Sequence, residues 1–172
     1  MVIADINGFL KKVGKIHYTF KRFLNRFRRS KKTWKNLFAF FLYTNEDQVL
    51  KSYLEDHQSE LHSISGSNVL IYFLKEEEVY ENANKLNIKF TKIPCIVFFL
   101  DPEDKNIFIY KIEEKESIKE QMRKIFTYAK KCCDKHRLKS KKYKCLKKKL
   151  TLQKFGKKIA PILLEIGKKK KF

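Results

Sequence analysis

The chain has 172 residues, with 40 Lys and Arg against 19 Asp and Glu and a formal net charge of +21. A domain of ordinary size plus extensions fits that length, and the charge points to a polyanionic partner, nucleic acid or an anionic membrane surface. The 4 cysteines are too few and too irregularly spaced for a disulfide framework, the 5 glycines form no phosphate-binding motif, and no apolar run approaches a membrane span.

The charge is unevenly placed. Residues 1–35 hold 11 basic residues and 1 acidic, and residues 135–172 hold 16 basic and 1 acidic. The stretch between them has 13 basic and 17 acidic residues. Three units follow: a basic amphipathic helical arm at 1–35, a globular body at 36–134 and a basic C-terminal arm at 135–172. In the first arm, Ile6, Phe9, Leu10, Val13, Ile16, Phe20, Phe23, Leu24 and Phe27 recur at helical steps. Lys11, Lys12, Lys15, Lys21, Arg22, Arg26, Arg28 and Arg29 fill much of the rest, with Lys31 and Lys32 in the link that follows. The arm has a basic face in place of the apolar block of a secretory signal.

"LFAFFLY" (37–43) is a continuous apolar run, as a strand buried on both faces requires. Asn45 with Gln48 reads as a capping box for a helix burying Val49, Leu50, Tyr53, Leu54 and Leu61. "SISGSN" ends it, and "VLIYFL" (69–74) is a second buried strand. Residues 76–87 form a second helix with Val79, Tyr80, Ala83 and Leu86 inward. Strand "CIVFFL" (95–100) follows Pro94 and turns back through "DPEDKN" into "IFIYKI" (107–112). Ser117 and Glu120 cap a last helix that buries Ile118, Met122, Ile125, Phe126 and Ala129. The C-terminal arm opens with Lys139, Lys141, Lys142, Lys144, Lys147, Lys148 and Lys149. Leu152, Phe155, Ile159, Leu163 and Ile166 then mark an amphipathic helix that Pro161 kinks. The fold class is α/β: a β-α-β-α-β-β-α sandwich on a mixed four-stranded sheet, with basic helical N- and C-terminal extensions.

That element order, with Ile93-Pro94 leading directly into a strand, hairpin and helix, resembles the thioredoxin-like fold family over about residues 36–133. The resemblance implies that Pro94 is a cis-proline facing the start of the first helix. It also implies a C-x-x-C motif at that start, where a helix N-terminus lowers a thiol's pKa. Here the positions read Tyr43, Thr44, Asn45, Glu46 and Asp47, with no sulfur. A redox-inactive derivative of the fold is therefore expected.

Cys95 is the remaining catalytic candidate. It is either a lone reactive thiol beside the cis-proline, making the protein a single-cysteine thiol oxidoreductase, or a buried small hydrophobe at the start of a core strand. Cys132, Cys133, His136 and Cys145 have poor spacing for a metal cluster, so neither metal nor cofactor is expected. No small-molecule substrate is evident.

The basic segments carry the main functional expectation. Their lysines and arginines contact the phosphates of nucleic acid, RNA in preference to DNA, with Phe20, Trp34 and Tyr143 available to stack on unpaired bases. The module is then non-catalytic, a scaffold within a larger ribonucleoprotein or a bacterial conflict-system assembly. Thioredoxin-like proteins with basic extensions in mitochondrial ribosomes have a similar charge layout. Two alternatives stay open: docking to partner proteins, and a peripheral adaptor whose residues 6–27 lie in an anionic membrane interface. A reducing intracellular compartment is expected, cytoplasmic or, given the Arg/Lys-rich start, a mitochondrial or other organelle matrix.

Overall fold

A computed structural model describes residues 3–4, 37–66, 69–73, 79–101 and 104–154. Of the helical arm expected over 1–35, the described residues are Ile3 and Ala4, which are strand; the rest of the arm with its cations, and Phe155 onward, lie outside the described residues.

Strand β2 (Leu37–Leu42) is buried at every position, which is why its sequence shows no alternation. It pairs in parallel with β3 (Val69–Phe73) and antiparallel with β4 (Cys95–Phe99), and β4 pairs antiparallel with β5 (Asn106–Lys111). Two short strands extend these four. β1 (Ile3–Ala4) adds in parallel beside β3, and β6 (Thr151–Lys154) adds antiparallel beside β5. The order across the sheet is β1-β3-β2-β4-β5-β6.

One face of the sheet carries the main core. Leu37, Ala39 and Phe41 of β2, Ile96 and Phe98 of β4 and Phe108 of β5 gather there with residues of four helices. Those helices are α1 (Gln48–Asp56), α2 (Gln58–Ser65), α4 (Ile118–Lys135) and α5 (Lys139–Lys147). The alternate residues Phe38, Phe40 and Phe99 are also buried and stack on one another, with ring centroids 4.9 and 5.4 Å from Phe99. A further helix, α3 (Val79–Lys85), has Val79 and Ala83 buried.

Several local expectations are corrected. Two helices occupy the span expected of one, because α1 ends at His57, whose N–H bonds the Tyr53 carbonyl, and α2 restarts at Gln58. Asn45 is not the cap: α1 starts after Asp47, and the Gln48 amide instead donates to the Asn45 carbonyl. Val49 and Tyr80, both expected inward, are 74% and 51% exposed. Gly66 ends α2 at φ 67°, where a Cβ would lie 2.7 Å from Lys130 Cε. At α4 the Ser117 hydroxyl does accept from Glu120 N–H, at 3.4 Å. Gln121, fully buried, ties the β5–α4 turn: its amide donates to the Glu113 and Glu116 carbonyls at 2.6 and 3.1 Å and accepts from Glu113 N–H at 2.8 Å.

The largest difference falls after residue 135. This stretch was expected to lack a core, yet Leu146 and Leu150 belong to the main one. α5 folds back on α4, and Tyr143 stands edge-on to Phe108 at 4.7 Å. Thr151–Lys154, expected to open an amphipathic helix, is strand. A disulfide joins Cys132 of α4 to Cys145 of α5, with Cα atoms 5.8 Å apart. The sequence spacing of 13 gave no hint of it, because the pairing exists only once the two helices are antiparallel.

Candidate functional site

Two places in the fold bear on function. The first is where β2 meets α1. Leu42 pairs with Cys95, so the chain leaving β2 runs beside Pro94. The Ile93-Pro94 peptide bond is cis, and the Pro94 carbonyl accepts from Ile112 N–H at 3.0 Å. The turn from Thr44 to Asp47 is closed by its own side chains. Asp47 Oδ2 accepts from Thr44 N–H at 2.7 Å and from the Thr44 hydroxyl at 3.1 Å, and Thr44 Oγ1 accepts from Glu46 N–H at 3.2 Å. A carboxylate thus occupies the helix start, and residues 43–47 hold no thiol.

Cys95 adjoins this turn but is fully buried. Burial pushes its thiol pKa up to about 12, with Lys92 opposing weakly. A nucleophilic cysteine needs the reverse, an accessible site that stabilises the thiolate. The lone-thiol alternative therefore has neither access nor ionisation in its favour. Native protein should react with a maleimide at neither Cys95 nor Cys133, the other unpaired cysteine, whose thiol burial raises to about 11. Mass spectrometry after brief labelling checks this, and rapid native modification of Cys95 would overturn the structural assignment. Cys132 and Cys145 are committed to each other, and no group of three or more His, Cys, Asp or Glu among the described residues is placed to hold a metal ion.

The second place is α5 with the turn after it. Of the seven lysines expected here to meet phosphates, six are exposed, and five of those, Lys141, Lys144, Lys147, Lys148 and Lys149, have no ion-pair partner among the described residues. Lys142 is corrected, being 2% exposed and near enough to Cys133 to oppose the rise in its thiol pKa. Lys139 is engaged by Asp101 at 3.2 Å and by Asp104, which raises its pKa against the opposing effect of burial. Tyr143, expected to stack on bases, is packed against Phe108 instead.

Sequence reasoning missed the exposed cations of α4, because all but Lys135 lie inside the 36–134 body and were counted with its acidic residues. Arg123 bonds Glu60 through Nη2 at 2.7 Å and Lys130 faces Asp134 at 3.6 Å, whereas Lys124, Lys131 and Lys135 have no ion-pair partner among the described residues. No helix among the described residues is long and apolar enough to cross a membrane. No family model, curated protein or solved structure matches the chain.

Proposed function

We propose that the protein is a non-catalytic, thioredoxin-like module that binds nucleic acid, RNA in preference, through its basic segments. The fold part of this reading is supported by the strand order around β3-β2-β4-β5 and by the cis-proline entering β4. Its redox inactivity is supported by the carboxylate-closed turn at 44–47 and by the burial of Cys95. The observation that carries the binding part is the run of exposed lysines on α5 and its following turn, held on a rigid body. Lysine is a point charge that meets phosphate without reading base edges, so affinity with little sequence preference is expected. A setting within a ribonucleoprotein or a conflict-system assembly suits such a module.

The test is a titration of the full chain with mixed-sequence single-stranded RNA over a range of salt. Engagement of these five lysines contributes about −3.5 to the log–log slope, at roughly 0.7 per phosphate for a single strand, and every further contact steepens it. A salt-independent affinity, or flotation with anionic vesicles and no RNA binding, would refute the proposal. The latter outcome would favour a membrane adaptor acting through residues 6–27, a segment outside the described residues.

A further inference from the structure

The α4–α5 hairpin places two lysine rows on either side of one seam. On α4, Lys124, Tyr128, Lys131 and Lys135 fall at i, i+4, i+7 and i+11, which is a single stripe of a helix. The stripe is bordered by Cys132, which is disulfide-bonded to Cys145 of α5. Tyr128 marks the seam itself. Its hydroxyl donates to the Cys145 carbonyl, and Lys149 Nζ sits 4.7 Å from its ring centroid. Lys141 of α5 and Lys148, its C-cap in helical conformation, lie four residues before and three after Cys145, so both project on the side that meets α4. All six lysines are exposed.

Two acidic groups lie close to this row. Asp134 lines the same surface hollow as Lys131 and Lys135 but pairs with Lys130 at 3.6 Å, and Glu120 lies one turn before Lys124 without an ion pair to it among the described residues.

We propose that this seam is a binding surface for a nucleic-acid backbone, in which Lys124, Lys131 and Lys135 of α4 act together with Lys141 of α5 and Lys148 and Lys149 of the turn after it. This rests on the nucleic-acid reading above and moves part of the binding from the terminal segments onto the body. From Lys124 to Lys135 the α4 row runs about 16 Å, at about 1.5 Å per residue. The disulfide and the Tyr128 bond fix the spacing between the rows. Leu138, at the bend between α4 and α5, is the one exposed large apolar side chain among the described residues of this hairpin, and a single leucine beside so many lysines gives little to insert into lipid, which favours a phosphodiester chain over a membrane.

The test compares Lys131→Glu/Lys135→Glu with a charge-matched control, Lys89→Glu/Lys111→Glu, which changes exposed lysines outside both helices. Each full-length variant is titrated with the same RNA across salt. Losing two phosphate contacts should lower the slope by about 1.4 in the α4 variant, at about 0.7 per contact, and leave the control near wild type. Lys131→Gln/Lys135→Gln, which adds no negative charge, should give the same loss of slope with a smaller loss of affinity. Equal weakening by both charge reversals would mean that only net charge matters and would overturn the surface. An α4 variant indistinguishable from a binding wild type would also overturn it while leaving the nucleic-acid reading intact. A wild type that binds no RNA would bring down both.

Discussion

Replacing Phe126 with alanine should destabilise the protein by about 3–5 kcal/mol, the usual cost of deleting a fully buried aromatic ring. Phe126 is completely enclosed, and its ring centroid lies 6.0 Å from Phe41 and 5.9 Å from Phe98. It is the point where α4 meets the two central strands, and the rigid sheet around it has little freedom to collapse into the space left behind. Denaturant unfolding checks this: the midpoint should fall with the slope unchanged. The loss is a large share of a stability of about 5–15 kcal/mol, so fluorescence and circular dichroism should both register it. Val49→Ala is the matched contrast. At 74% exposure it should alter stability by no more than about 0.5 kcal/mol. A loss below about 1 kcal/mol at Phe126, or a comparable loss at Val49, would contradict this view of the core.

Those two residues also illustrate what the sequence could tell. Phe126 was readable as core because Met122, Ile125, Phe126 and Ala129 recur at helical spacing next to a local cap at Ser117. β2 and β4 were readable because a strand covered on both faces needs an unbroken apolar run. Val49 was misread because the stripe assumed one continuous helix. The actual turn at 44–47 starts α1 two residues later than an Asn45 cap would. Such boundary details depend on side chains competing for the same N–H groups, here Asp47 for Thr44.

The C-terminal region was harder for a different reason. "KKYKCLKKKL" has the composition of a solvated arm, and only tertiary packing shows that Lys142 and Leu146 turn inward. A lysine can be buried along its aliphatic stem, which composition does not reveal. "TLQK" alternates too briefly to signal a strand, and it becomes one because β5 offers a free edge for it. Gln121 and the lysines of α4 share this limit: their roles depend on which groups lie across a turn or a helix seam. The candidate surface was legible as charge but not as geometry.

Breaking the Cys132–Cys145 disulfide should cost about 3 kcal/mol, the chain-entropy value for a loop of about 15 residues; the two cysteines are 13 apart in sequence. For a protein of this size that lowers the melting temperature by about 6–12 °C, at roughly 2–4 °C per kcal/mol. The effect should be the same whether the bond is reduced by a dithiol or removed as Cys132→Ala/Cys145→Ala, apart from the small packing change at buried Cys132. Reduction should not detach α5 outright. Leu146 stays in the core, Tyr143 stays on Phe108, and β6 remains hydrogen-bonded to β5. Hydrogen exchange should instead quicken selectively across α5, with β2 and β4 unaffected. If oxidised and reduced protein melt within 1 °C of each other by a scan that resolves about that difference, the cross-link contributes no stability. The same pair bears on where the protein works. Structural disulfides persist in oxidising compartments, whereas the few, irregularly spaced cysteines, a first segment unlike a secretory signal and the lack of a spanning apolar run point to a reducing one. Trapping thiols with an alkylating agent at the moment of cell lysis distinguishes the two. A protein isolated with Cys132 and Cys145 both alkylated works with the helix hairpin uncrosslinked, and its α4–α5 seam is then held by Tyr128 and the buried leucines alone.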